Sequence, residues 1–341
     1  MSEWRPRMAV LREKLSALPR ERFAHLPTPL DRCPRLSEQL DGPSLWVKRD
    51  DCTGVAFGGN KTRQLEFVLG DALAQGADVV IQGAASQSNH SRQLAAAAAR
   101  SGLQSIITPR KDKFFAKGGG NQLITSLLAS EVRPVDPDKS VKEAKDQVAA
   151  ELRHRGLKPY IVGMGAERAL ALAALAYAEA LCEIVEEFDA KGEELPTHIY
   201  TTSQGSTQAG LQLAVNYLDL PIQVVGINPM TSSNEAYISP EGIAALMKLA
   251  IGLIGLGPVD FTPVVNTDAY VGDAYGIPSK GSREAIEILA KNEGILLDPI
   301  YSGKGFAGLI DHIRQGLLTR DSRVVFIHTG GLPALFADFE E

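Results

Sequence analysis

Residues 57–66 read Phe-Gly-Gly-Asn-Lys-Thr-Arg-Gln-Leu-Glu and put one lysine in an uncommon setting. Gly58 and Gly59 permit a sharp turn and a close backbone approach to a ligand. Asn60 reads as an N-cap, and Leu65, Val68 and Ala72 then share one face of a helix. Lys61 falls in the first turn of that helix, where the dipole disfavours its charge. Such a position suits an amine that must lose its proton and attack a carbonyl.

Three further groups of residues could work with it. Gln82-Gly-Ala-Ala-Ser-Gln-Ser-Asn-His-Ser-Arg-Gln93 places Ser86, Gln87, Ser88, Asn89 and His90 in a strand-to-helix turn. Small hydroxyls and amides there can hydrogen-bond a polar ring, and the helix start can hold a carboxylate. Thr201-Thr-Ser-Gln-Gly-Ser-Thr-Gln-Ala-Gly210 also joins a strand to a helix. Gly205 frees the backbone while Ser206 and Thr207 add hydroxyls to unpaired amides, a cradle for phosphate. Neither the P-loop spacing nor the dinucleotide fingerprint is present, which favours a monophosphate over a nucleotide. Tyr270-Val-Gly-Asp-Ala-Tyr-Gly-Ile-Pro278 and Asp298-Pro-Ile-Tyr-Ser-Gly-Lys304 each offer a tyrosine in a tight turn. A tyrosine can pack on a flat ring while its hydroxyl moves a proton. Lysine, phosphate cradle, polar loop and tyrosines together describe a site for pyridoxal 5′-phosphate.

The elements that must position these residues alternate along the chain. Strands are expected at 45–48, 78–82, 104–108, 160–162, 198–202, 222–227 and 324–328. Helices are expected from Lys61, over 93–100, from near Asn121, and over 168–188, 208–218 and 283–292. That alternation predicts an α/β fold with largely parallel sheets covered by helices. The polar stretch 136–145 reads as a surface connection, and the apolar run 246–256 as a buried or interface helix.

At 341 residues, 44% hydrophobic and 22% charged, the chain is long enough for two domains and a large core. A net charge of −6 argues against nucleic acid or an anionic membrane as partner. Cys33, Cys52 and Cys182 form no metal or disulfide pattern and suit a reducing cytoplasm; no metal site is expected. No signal peptide or membrane span is recognised, so a cytoplasmic protein is expected.

Gly58-Gly-Asn-Lys-Thr-Arg-Gln-Leu-Glu66, Gln87-Ser-Asn-His-Ser-Arg-Gln93, Gly205-Ser-Thr-Gln-Ala-Gly210, Asp298-Pro-Ile-Tyr-Ser-Gly-Lys304 and His328-Thr-Gly-Gly331 occur in that order. Over about 25–335 the chain thereby resembles the D-cysteine desulfhydrase / 1-aminocyclopropane-1-carboxylate deaminase family of pyridoxal-phosphate enzymes. The resemblance implies the tryptophan-synthase β-like fold (fold type II) and a homodimer. We expect a large domain over 1–60 and 169–341 and a small one over 61–168. By position, Lys61 resembles the Schiff-base lysine, Asn89 the partner of the ring oxygen and Ser88 the active-site serine. Tyr275 and Tyr301 match the two active-site tyrosines, and Gly205, Ser206 and Thr207 the phosphate cup. Asn60 joins the cofactor contacts, and Gln87 and His90 join Ser88 around the substrate.

Ser302 and Thr329 stand where the deaminases carry glutamate and leucine, the desulfhydrase-like choice. A neutral hydroxyl beside the pyridine nitrogen gives a weaker electron sink than a carboxylate, enough when sulfide or sulfite leaves Cβ. The resemblance therefore implies a carbon–sulfur lyase, with D-cysteine as the leading substrate, L-cysteate the alternative, and 1-aminocyclopropane-1-carboxylate deamination behind both. Gly163-Met-Gly-Ala-Glu-Arg168 departs from the family's turn, and the basic segment 110–117 leaves room for an anionic side group.

Overall fold

The computed structural model describes residues 3–337. Strands β1 (Leu30–Arg32), β2 (Ser44–Lys48), β3 (Val79–Ala84), β4 (Gln104–Pro109) and β5 (Glu131–Val132) come first. They are followed by β6 (Pro159–Ile161), β7 (His198–Thr202), β8 (Gln223–Ile227), β9 (Val265–Thr267) and β10 (Arg323–Ile327). They build two sheets, one ordered β1-β2-β10-β7-β8-β9 and one ordered β5-β4-β3-β6. All pairings are parallel except β1 with β2, at the edge of the larger sheet. Val324 and Val325 of β10 pair with Leu45 and Trp46 of β2, and Ile199 of β7 pairs with Val325. These residues are all buried, as a parallel sheet covered on both faces requires.

The covering helices are α1 (Trp4–Ser16), α2 (Pro34–Gln39), α3 (Asn60–Ala74), α4 (Asn89–Arg100), α5 (Gly120–Leu128) and α6 (Val141–His154). They continue as α7 (Glu167–Lys191), α8 (Ser206–Leu218), α9 (Pro240–Ile254), α10 (Lys280–Glu293) and α11 (Ser302–Arg314). One core packs α3, α7, α8 and α9 against the larger sheet; a second lies on its other face around α10 and α11. The smaller sheet has its own cluster beneath α6.

Every strand and helix expected from the sequence is present, with ends shifted by a few residues. One reading is corrected. The stretch 136–145 is not simply a surface connection: from Val141 it is the start of α6, whose Lys145 is fully buried. The apolar run 246–256, expected as a buried or interface helix, falls largely in α9, which turns Ile243, Leu246, Met247, Ala250 and Ile254 into the core. Periodicity also left α11 unread, because its first turn, Ser302-Gly-Lys-Gly305, has no apolar side chain.

A buried ion network anchors the helix that carries Lys61. The Arg63 guanidinium donates to Asp50 (2.9 Å from both Nε and Nη2) and to Glu183 (2.8 and 3.0 Å). Lys48 Nζ lies 2.9 Å from Glu183, and Tyr177 and Thr28 donate to Asp50. Burial alone would raise the two carboxyls; Arg63 and Lys48 instead hold both below their ordinary values. The network ties α3 to α7 and to the end of β2. Among the described residues no helix is long and apolar enough to cross a membrane.

Candidate active site

The loops that follow β3, β7 and β10 at their carboxyl ends, with the start of α3, enclose a cavity of about 830 Å³ between the two sheets. Lys61 lies on its wall in the first turn of α3. Asn60 is the first helical residue and not the N-cap; that place is taken by Gly59 at φ +125°. The Asn60 side chain is engaged elsewhere, donating to Thr207 Oγ1 at 3.2 Å. A Cβ on Gly330 would lie 2.6 Å from Gly59 Cα, so the turn after β10 meets this one only as glycine against glycine. Burial lowers the Lys61 ammonium from 10.5 to about 8.

Gly205 is the N-cap of α8, with Ser206 and Thr207 in its first turn, where amides have no partner within the helix. Gln64 Nε2 donates to Ser206 Oγ (3.2 Å) and Thr207 Oγ1 (3.3 Å). Both hydroxyls accept from these amides, so their own protons remain available to an anion. Gln64 was missed in the sequence; lying three residues after Lys61, it shares that helix face.

On the smaller sheet Ser88 is the N-cap of α4, its side chain accepting from Ser91 N–H at 3.2 Å. Asn89 and His90 follow in the first turn, and all three line the cavity. Asn89 Oδ1 accepts from Asn121 Nδ2 at 2.9 Å, which leaves the Asn89 Nδ2 to donate into the cavity. Asn121 is itself held by Arg92 at 2.6 Å. Arg92 is fully buried and also donates to Ala56 O and Gly58 O, on the turn before Lys61. Gln87 is tied to the start of α5, its Oε1 accepting from Asn121 N–H at 2.9 Å. Burial, with the positive Lys61 and Lys145 nearby, lowers His90 to about 3 and keeps it neutral.

The tyrosines meet on the far wall. Tyr275 and Tyr301 hydrogen-bond through their hydroxyls, with ring centroids 6.0 Å apart and planes inclined at 69°. Burial raises both phenols. Lys304, fully buried on α11, donates to Val271 O (2.6 Å) and Ala274 O (3.1 Å) and so pins the Tyr275 turn. Lys145 likewise donates to Met164 O at 2.6 Å on another cavity loop.

Thr329 lines the cavity beyond β10, whereas Ser302 does not. Ser302 is wholly buried at the start of α11, its Oγ donating to Asp298 Oδ2 at 2.6 Å and accepting from Asp298 N–H at 2.8 Å. Asp298 needs that proton to complete a carboxylate which also accepts from the amides of Ile300, Tyr301 and Ser302. The two hydroxyls paired by the sequence thus have different surroundings.

A two-sheet α/β protein with a neutralisable lysine at a helix start, facing a second helix start built for a monophosphate, is an enzyme of the fold type II pyridoxal-phosphate class. The comparisons agree: the family model described as "Pyridoxal-phosphate dependent enzyme" matches residues 22–330, and the chain belongs to that family. It is 36% identical over 329 residues to the D-cysteine desulfhydrase of Salmonella typhimurium, covering 95% of this chain and 97% of that one. It is 35% identical over 333 residues to the D-cysteine desulfhydrase of Serratia proteamaculans, covering 96% and 98%. Among solved structures, an ACC deaminase homologue superposes with a TM-score of 0.83 at 33% identity, covering 96% of both chains. Escherichia coli diaminopropionate ammonia lyase, at 14% identity and a TM-score of 0.62 over 97% of this chain and 88% of that one, shares the fold.

The residues present fit pyridoxal phosphate. The α8 start suits its phosphate, the Asn89 amide suits its ring oxygen, and Lys61 carries an amine that burial makes easy to deprotonate.

Proposed function

We propose that this protein breaks D-cysteine down to pyruvate, ammonia and hydrogen sulfide with pyridoxal 5′-phosphate as cofactor. The observation that carries the reading is the meeting, in one cavity, of the Lys61 amine, the α8 cradle and the Tyr275–Tyr301 pair. Near-full-length likeness to two D-cysteine desulfhydrases supports this choice of substrate. L-cysteate elimination and cyclopropane opening are not favoured by that company.

When bound, the cofactor supplies an electron sink that acidifies Cα–H and lets a group leave Cβ. The protein's part follows from its geometry. Ser206 and Thr207 would hold the phosphate with first-turn amides and hydroxyl protons, their hydroxyl oxygens accepting from the Asn60 and Gln64 side-chain amides. The start of α4, capped by Ser88, receives the substrate carboxylate, with Gln87 and neutral His90 beside it. Lys61 would take the α-proton at Nζ, a task suited to its lowered pKa. Tyr275 and Tyr301 share one hydrogen bond and hold a proton near the departing group. We assign the neutral contact to the pyridine nitrogen to Thr329, because the Ser302 proton is committed to Asp298.

We also propose the division into a large domain over 1–60 and 169–341 and a small one over 61–168. The separate hydrophobic cluster of the smaller sheet supports it. A homodimer is supported by the exposed Phe57, Leu123, Leu127 and Phe336, and light scattering tests it. A cytoplasmic location is supported by the three free cysteines.

Purified holoenzyme incubated with a panel of D- and L-3-substituted alanines tests the function. Sulfide and pyruvate should appear from D-cysteine. Sulfite from L-cysteate, or no product from any of them, would refute the reading.

A further inference from the structure

One corner of the cavity has no assignment in the scheme above. Gln204 stands between β7 and Gly205 and lines the cavity with Tyr275 and Tyr301. Its Nε2 is buried and has no hydrogen-bond partner in the protein. A buried amide donor without a partner is costly and marks a place where a ligand atom completes the bond. The Gln204 amide lies close to both tyrosine hydroxyls without completing a hydrogen bond to either. Because the two hydroxyls bond each other, one of the two phenolic protons is used between them. The corner is therefore rich in donors and calls for an electron-rich atom.

The other anionic groups of a bound amino acid and its cofactor already have helix starts, α8 for phosphate and α4 for carboxylate. The group still to be received is the Cβ substituent. Resting on the D-cysteine reading, we propose that Gln204 is the specificity-determining residue for that group, its Nε2–H donating to the departing sulfur. As the Cβ–S bond breaks, the electron pair leaves with sulfur as hydrosulfide, HS⁻. Gln204 holds that charge by a hydrogen bond and keeps its own proton. The interaction strengthens as charge develops, so it acts on turnover more than on binding.

The test compares wild-type, Gln204→Leu and the near-isosteric Gln204→Glu holoenzymes, each checked for folding by circular dichroism. Each is given D-cysteine and β-chloro-D-alanine, whose chloride leaves without needing a donor. Both variants should lose about tenfold or more in kcat on D-cysteine with KM changed little. Their turnover of β-chloro-D-alanine and their affinity for pyridoxal phosphate should stay within about threefold of wild type. Equal loss on the two substrates, or a loss confined to KM, overturns the assignment. Weakened cofactor affinity also overturns it and makes Gln204 part of the phosphate cradle. If wild type releases no sulfide from D-cysteine, the functional reading fails and the assignment with it. If wild type does and the variants discriminate nothing, the Gln204 assignment alone fails.

Discussion

Protein freed of its cofactor should take up pyridoxal phosphate with a pH dependence set by the burial of Lys61. Burial brings this ammonium from 10.5 to about 8, so folding favours the neutral amine. Only the neutral amine attacks a carbonyl. At pH 7.5 about a quarter of a group titrating at 8 is neutral, against about one part in a thousand for one titrating at 10.5. The difference is roughly 200-fold in reactive amine. The rate of uptake should rise about eightfold between pH 6.5 and 7.5 and level off above about pH 8.5. Stopped-flow absorbance of the yellow holoenzyme gives the rate, and borohydride reduction with peptide mapping gives the lysine. Lys61→Arg, which cannot shed its proton, should abolish covalent uptake. A rate still climbing tenfold per unit at pH 10, or an adduct on another lysine, would refute the reasoning.

The buried Arg63 network gives a stability prediction. Arg63→Met strands the Asp50 and Glu183 carboxylates and should cost about 3–5 kcal/mol in urea unfolding, and a loss below about 1 kcal/mol would show the network to be dispensable. His90 titrates at about 3 in the folded protein against 6.5 ordinarily. The unfolded chain therefore binds the extra proton, and stability is lost as pH falls from about 6.5 towards 3. His90→Gln should flatten that part of the stability profile; an unchanged slope would contradict it. Ser302→Glu would set a second carboxylate against Asp298, now 2.6 Å from the serine hydroxyl, so cofactor content and thermal stability should both fall. A stable, fully loaded variant would show that the glutamate can turn to the cavity. Thr329→Val, by contrast, should keep the fold and lower turnover on D-cysteine, as measured by pyruvate release.

Much of this protein was legible before any coordinates. The alternation of short β-prone runs with amphipathic helices is local, so it determined the α/β class and the positions of most elements, but not the short strands β1, β5 and β9 or the helices α1, α2, α6 and α11. Lys61, Ser88, Asn89, Gly205, Ser206, Thr207 and Tyr301 stand at the starts of helices and Tyr275 in the turn before α10, and composition marks such turns. Their convergence on one cavity is a property of the fold, because it depends on how two sheets face each other. Tertiary contacts alone decided which polar atoms remain available. Asn60 turned from cap to partner of Thr207, 147 positions away, and Ser302 turned from the ring to Asp298. Lys145 and Lys304 resemble surface lysines in a one-dimensional reading. Only packing reveals that each spends a buried charge on backbone carbonyls of a cavity loop. Hydrogen-bond partners and desolvation are set by atoms distant in the chain, so residue type specifies what a side chain can do and the folded surroundings decide which of those things it does.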